Sequence, residues 1–239
     1  DDLVDRERAS DALPPGDLGT DDIDEAIEAV TTVWSAAVDL GYDSAAATLV
    51  EGLIDLGGRR LEGSALADRS HAHLATITPS RLKAKHRLRA FTRLLFVSAV
   101  EPSTPWTAVL IAKRPSGDKY VAVTLGPLGE DPDDRRQFAE QAMEELLELY
   151  DTGMRQPALL PCETAYAWQR GLSTGRDRAL RDAEKNWESA RFSPEAADPA
   201  HQLLFPHLPS TGDLVDEGLE QLAARLWGPI LPLCRERTL

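Results

Sequence analysis

Three things are scarce in this chain: cysteine, long apolar runs and positive charge. Two cysteines, Cys162 and Cys234, stand in 239 residues. That is too few for a disulfide framework and fits a reducing compartment, with both thiols in ordinary structural roles. No apolar run approaches the ~20 residues of a membrane span, so no membrane contact is expected. Lys and Arg number 26 against 40 Asp and Glu, a formal net charge of −14. Such a balance argues against non-specific nucleic-acid binding by the chain as a whole, and leaves a local basic site open. No secretory leader is visible and the first residue is Asp1 rather than Met. The chain therefore reads as a cytoplasmic fragment of a larger protein.

Nucleotide-binding glycine motifs are missing as well. Neither G-x-x-x-x-G-K-[ST] nor G-x-G-x-x-G occurs. His71 and His73 lie two apart without a third or fourth ligand near them in sequence, so no zinc site is expected. Ser98 and Ser173 carry no sign of a His/Asp relay. No cofactor is expected.

What is present is organised around Arg59 to Leu125, which reads as strand, strand, helix, strand, strand. The strands fall at 60–66, 73–78, 107–112 and 120–125, rich in apolar and β-branched residues. Between the two pairs, 81–100 reads as a basic helix. Ala84, Leu88, Phe91, Leu95 and Ala99 form its apolar face, and Pro102 and Pro105 follow it. Before this unit, residues 1–20 read as an acidic arm. A helix from about 21 to 40 carries Ile23, Ile27, Val30, Trp34 and Val38 at helical spacing. Residues 43–55 read as a further helix with Ala47, Val50 and Ile54 on one face, a strand through 53–56 being nearly as good. After the unit come a long helix from Asp133 or Asp134 to Gly153 and a short strand at 157–161. Helices at 163–170, 176–190 and 213–226 complete the chain, with an irregular loop at 193–212. The expected fold class is α/β: a mixed central sheet flanked by helices over 21–160, and a helical C-terminal extension over 161–239.

Strand, strand, helix, strand, strand is also the order in the core of the PD-(D/E)XK nucleases. Such an enzyme needs carboxylates to hold Mg²⁺ and a lysine to orient water. An Asp is expected late in the first strand, where Gly63-Ser64-Ala65-Leu66 stands. A carboxylate–x–Lys triplet is expected in the second, where Ala75-Thr76-Ile77-Thr78-Pro79-Ser80 stands. Neither stretch has a carboxylate or a lysine. Asp68 falls in the turn beside Arg69, and Glu62 supplies at most one ligand. No catalytic residue and no metal site are assigned.

The sharpest local feature is a charge imbalance. From Arg69 to Val100 there is no acidic residue. Arg81, Lys83, Lys85, Arg87, Arg89 and Arg93 crowd that stretch, and they are the candidate DNA- or partner-binding residues. Lys85, Arg89 and Arg93 stand at i, i+4 and i+8, where like charges cost a few tenths of a kcal/mol per pair. Three anionic partners would offset that: phosphate, the chain's own carboxylates at 1–28 and 140–151, or an acidic surface of another subunit.

The run Thr78-Pro79-Ser80-Arg81-Leu82-Lys83-Ala84-Lys85-His86-Arg87-Leu88-Arg89-Ala90-Phe91 resembles the carboxy-terminal domain of RecC, the gamma subunit of exodeoxyribonuclease V. Further matches keep the same order: Leu13-Pro14-Pro15-Gly16, Trp106-Thr107-Ala108-Val109, Ala165-Tyr166-Ala167-Trp168 and Leu226-Trp227-Gly228-Pro229-Ile230-Leu231. High Ala, Arg and Asp with few lysines is compatible with an actinobacterial version. The resemblance implies a degenerate nuclease-like domain without nuclease chemistry. It also implies a scaffolding role beside RecB and RecD, and contact with DNA at a duplex/single-strand junction in double-strand break repair and recombination. An active Mg²⁺-dependent nuclease and a stand-alone interaction module without a DNA role are the alternatives.

Overall fold

The computed structural model describes residues 17–117, 119–189, 194–205 and 207–239; most of the expected acidic arm lies outside them. Helix α1 is Asp17–Asp39. Strands β1 (Ala47–Leu56), β2 (Arg59–Asp68) and β3 (His73–Arg81) follow, then helix α2 (Ala84–Val100), β4 (Thr107–Lys113) and β5 (Tyr120–Leu125). Helices α3 (Pro132–Arg155), α4 (Cys162–Gly171) and α5 (Arg176–Trp187) come next, then a short α6 (Pro199–Leu204). Helices α7 (Thr211–Leu214) and α8 (Glu220–Trp227) precede a last strand, β6 (Cys234–Thr238).

The six strands form one mixed sheet in chain order, with β3 and β4 parallel and the other neighbours antiparallel. The parallel pair requires a crossover, and α2 is that crossover. Residues alternate cleanly along the central strands. Ala108, Leu110 and Ala112 meet the cluster that includes Phe91, Leu94 and Leu95 of α2, while Ile111 and Ala122 meet Val33 and Ala37 of α1 on the opposite face. We call the α2 side the inner face and the α1 side the outer face. Trp168, Trp187 and Trp227 of the C-terminal helices are fully buried in the inner cluster.

Several elements differ from their sequence expectation, each for a physical reason. Residues 47–56 are a strand, not a helix. Val50 and Ile54 are four apart, a spacing that fits one helical turn and two pleats of a strand equally well. The pairing of Val50 with Ala65 and of Ile54 with Leu61 decides for the strand. Residues 157–161 form no strand. The sheet edge beside β5 is taken by β6, and Pro157 and Pro161 have no N–H to give a ladder. The last helix is not continuous, because Gly218 adopts φ +118° within the π-type turn Val215–Leu219 that separates α7 from α8. Helix α5 stops at Trp187, and within the stretch expected to be irregular Pro199–Leu204 form the short helix α6.

Helix α1 is turned away from its apolar stripe. Its sheet-facing residues are Val33 and Ala37, with Ala36 and Leu40 packed beside them. Ile27, Val30, Trp34 and Val38 remain exposed. Tyr120 donates from its hydroxyl to the carbonyl of Ala29 at 3.2 Å, which fixes the helix's rotation over β5.

Candidate functional site

Helix α2 carries the basic stretch, and its own sequence explains where it starts. Pro79 and the strand end at Arg81 precede it, and Lys83 is its N-cap in extended conformation. The Lys83 backbone N–H donates to Nδ1 of His86 at 3.1 Å. The positive end of the helix is already occupied. Glu163 of α4 accepts from the Ala84 N–H at 3.0 Å. Burial pushes the Glu163 carboxyl above its usual range, and the nearby Glu195 adds to this against the pull of the α2 amides. Glu195 in turn accepts from the N–H groups of Glu163 and Thr164, at 3.1 and 2.8 Å. Glu188 does the same for Thr211 at the start of α7, at 2.6 Å. Carboxylates from elsewhere in this acidic chain thus fill helix N-termini that an external anion would otherwise find open.

The six candidate cations separate into two groups of three. Arg81 donates from Nη1 to the carbonyls of Arg114, Pro115 and Gly117 at 3.1–3.2 Å, tying the end of β3 to the β4–β5 turn. Arg87 is 3% exposed, pairs with Glu236 of β6 and lies 4.9 Å over the Tyr166 ring. Arg93 sits where β2 and β3 diverge, since their ladder is registered only at Asp68 and His73. Its guanidinium donates to the Leu66 carbonyl at 3.0 Å on β2, and to the Thr76 hydroxyl and Ala75 carbonyl of β3 at 3.2 and 3.4 Å. Burial lowers its pKa from the ordinary value and Arg89 adds to that. The expected stripe of three is therefore reduced, because Arg93 is consumed by backbone acceptors.

Lys83, Lys85 and Arg89 form the second group. All three are exposed. Among the described residues none of the six pairs with the carboxylates at 17–28 or 140–151; those at 145, 148 and 151 are engaged by Arg225 and Arg59. Among the described residues the side-chain ion pair formed by any of the six is that of Arg87 with Glu236, and no apolar alternation in the sequence marks β6, which carries that carboxylate.

The positions where a nuclease of this core would hold its metal are filled differently. Ala65 is buried, Ser64 and Leu66 face outward, and a Cβ on Gly63 would come within 3.1 Å of the Phe96 ring. Asp68 is 1% exposed and its oxygens are committed. They accept from Nδ1 of His71 at 2.8 Å and from the N–H groups of Ser70 and His71 at 2.8 and 3.3 Å. Glu62 is on the outer, solvent side. Among the described residues no three His, Cys, Asp or Glu side chains come together as a metal-binding group.

Those bonds have a measurable consequence. The His71 hydrogen bond is the main cause that holds the Asp68 carboxyl below its usual range. A depressed carboxyl stabilises the fold above the unfolded-state pKa and loses that contribution as pH falls through the folded value. Acidification below about pH 4 is expected to open the β2–β3 turn. Asp68→Asn is expected to flatten that part of the stability–pH curve, read by urea unfolding between pH 2.5 and 6.

Comparison with known proteins bears on this arrangement. The model of the RecC C-terminal domain matches residues 1–173. The chain belongs to the RecC C-terminal domain family. Over 245 residues it is 32% identical to RecBCD enzyme subunit RecC of two Mycobacterium tuberculosis strains, covering 97% of this chain and 21% of each relative. It is also 32% identical over 250 residues to the RecC subunit of Mycolicibacterium smegmatis, covering 92% of this chain and 20% of that protein. The chain spans about a fifth of the length of these curated relatives. The RecC domain match takes in α2 and strands β1 to β5 and stops short of α5 and β6, whereas the 97% coverage extends through α5. No helix among the described residues is long and apolar enough to cross a membrane.

Proposed function

We propose that this RecC C-terminal domain is a non-catalytic, nuclease-like module. It would work in the cytoplasm within a RecBCD helicase–nuclease, scaffolding RecB and RecD and contacting DNA during break repair and recombination. Family membership supports placement in that complex. The order of β2, β3, α2, β4 and β5 around one mixed sheet supports the comparison with a PD-(D/E)XK core. The observation that carries the non-catalytic reading is the side-chain chemistry at 63–66 and 75–80. Hard, charged ligands for Mg²⁺ are replaced there by Gly, Ser, Ala, Leu, Thr, Ile and Pro. DNA contact is assigned to Lys83, Lys85 and Arg89. Such contacts position a backbone and do not read sequence.

Two measurements test this reading. Purified chain incubated with labelled linear and forked DNA is expected to leave it intact with Mg²⁺ or Mn²⁺; metal-dependent cleavage would overturn the non-catalytic assignment. Full-length RecC lacking residues 17–239 is expected to lose co-purification with RecB and RecD. Unimpaired assembly would remove the scaffolding role.

A further inference from the structure

Among the described residues, only half of the sheet's outer face is covered. Helix α1 lies over β3, β4 and β5, where Ile77, Val109, Ile111 and Ala122 surround Val33 and Ala37. The β1–β2 hairpin extends beyond it. On the hairpin's inner face Val50, Ile54, Ala65 and Ala67 are buried, and a Cβ on Gly52 would strike Val100 of α2 at 2.5 Å. Leu49, Leu53 and Leu66 therefore point outward, with Leu49 directly opposite Leu66.

Helix α1 presents a second apolar row on the same side of the sheet. Its other flank, at Thr32, Ser35 and Asp39, shares a pocket with Arg237 and Leu239 at the β6 edge. Ile27, Val30, Trp34 and Val38 lie on the opposite flank, away from that pocket. Trp34 packs edge-on against Tyr42 there, 5.7 Å between centroids at 85°. The four residues of this row and the three leucines are between 41 and 55% exposed. Isolated exposed leucines need no explanation, but four large apolar side chains in a row on α1 and three leucines on the outer face of the hairpin are more than scattered single residues.

Charge says what covers it. Glu51, Asp55 and Glu62 stand among the leucines, with Arg60 opposite Asp55. Residues 17–39 contain seven acidic and no basic residues. Phosphate is repelled from such a surface, and a second copy would bring two acidic faces together. We infer that the α1 flank and the outer face of the β1–β2 hairpin form a protein-docking surface for an apolar patch rimmed by Lys and Arg on another subunit of the complex. This rests on the RecBCD reading above and divides the domain's labour: protein on the outer face, phosphate on the exposed cations of α2.

The test uses full-length RecC with RecB and RecD from the same source. Amide exchange in residues 17–39 and 47–56 is measured for RecC alone and for the assembled complex. The expected result is a slowing of at least tenfold on assembly. Val30→Ser/Leu53→Ser, at exposed positions, is expected to weaken subunit binding at least tenfold with an unchanged melting temperature. Glu51→Lys/Glu62→Lys is expected to weaken binding by an amount that shrinks at high salt. Protection already present in RecC alone would assign the face to the same polypeptide and overturn the inference, as would protection that never appears or that follows RecC self-association. If wild-type RecC fails to assemble with RecB and RecD at all, the RecBCD reading itself fails. If it assembles and both variants assemble equally well, only the docking surface fails.

Discussion

Arg93→Ala is expected to cost about 3 kcal/mol of domain stability, the size of losing several hydrogen bonds from a charged donor to partly buried acceptors. The Leu66 and Ala75 carbonyls and the Thr76 hydroxyl would lose their donor at the point where β2 and β3 part. Lys85→Ala and Arg89→Ala are expected to stay within about 0.5 kcal/mol of the parent, as exposed substitutions do. Urea unfolding of the three variants checks this. Equal stability of Arg93→Ala and Arg89→Ala would mean that the guanidinium does not hold the diverging strands. The comparison also guards the functional reading, because loss of DNA contact in an Arg93 variant would otherwise be mistaken for a lost phosphate contact.

Gly171→Ala is expected to be as damaging. A Cβ there would lie 2.5 Å from Cα and 2.9 Å from N of Ala179. Backbone atoms cannot rotate out of the way, so α4 and α5 would have to separate. Overpacking of this kind costs about 3 kcal/mol at its upper usual range. Both flanking helices contribute a buried tryptophan, Trp168 and Trp187, so the displacement spreads into the inner core. The measurement is the urea midpoint, with tryptophan emission as a second probe; a midpoint within error of the parent would show that the two helices tolerate a wider spacing. Glycine was not singled out here from the sequence, since nothing in the sequence alone shows that another backbone passes at that distance.

The parts of the fold legible in the sequence are those set by local pattern. Strands β2 to β5 and helix α2 announce themselves through alternation, through a helical face and through the prolines after Val100. Less was legible where tertiary contacts decide. Val50 and Ile54 fit a helix or a strand until the partner strand is known. Strand β6, Cys-Arg-Glu-Arg-Thr, has no apolar alternation, and its ladder with β5 and the bond from Arg87 to Glu236 hold it in place. On α1 the large apolar residues suggested the buried face, yet the sheet takes the flank with Val33, Ala36 and Ala37. Small side chains let the helix approach the strands closely.

The basic stretch was legible as a cluster and not as a site. Seven basic residues without an acidic one between Arg69 and Val100 are plain in the sequence. That three of the six candidates are spent within the fold was not, for two of them, Arg81 and Arg93, bond chiefly to backbone carbonyls. Every residue has such a carbonyl, so no sequence pattern marks the acceptor.

The most direct test of the assignment of phosphate contact to the remaining three cations is salt dependence. Assembled RecBCD carrying either parent RecC or Lys83→Ala/Lys85→Ala/Arg89→Ala would be titrated with labelled forked DNA from 50 to 300 mM salt. Each lost duplex phosphate contact removes roughly 0.9 from the slope of log K against log salt. The expected result is weaker binding at low salt and a slope shallower by up to about 2.7, with assembly and stability unchanged. Superimposable titrations for the two complexes would contradict it and leave the exposed face of α2 without a role in DNA contact.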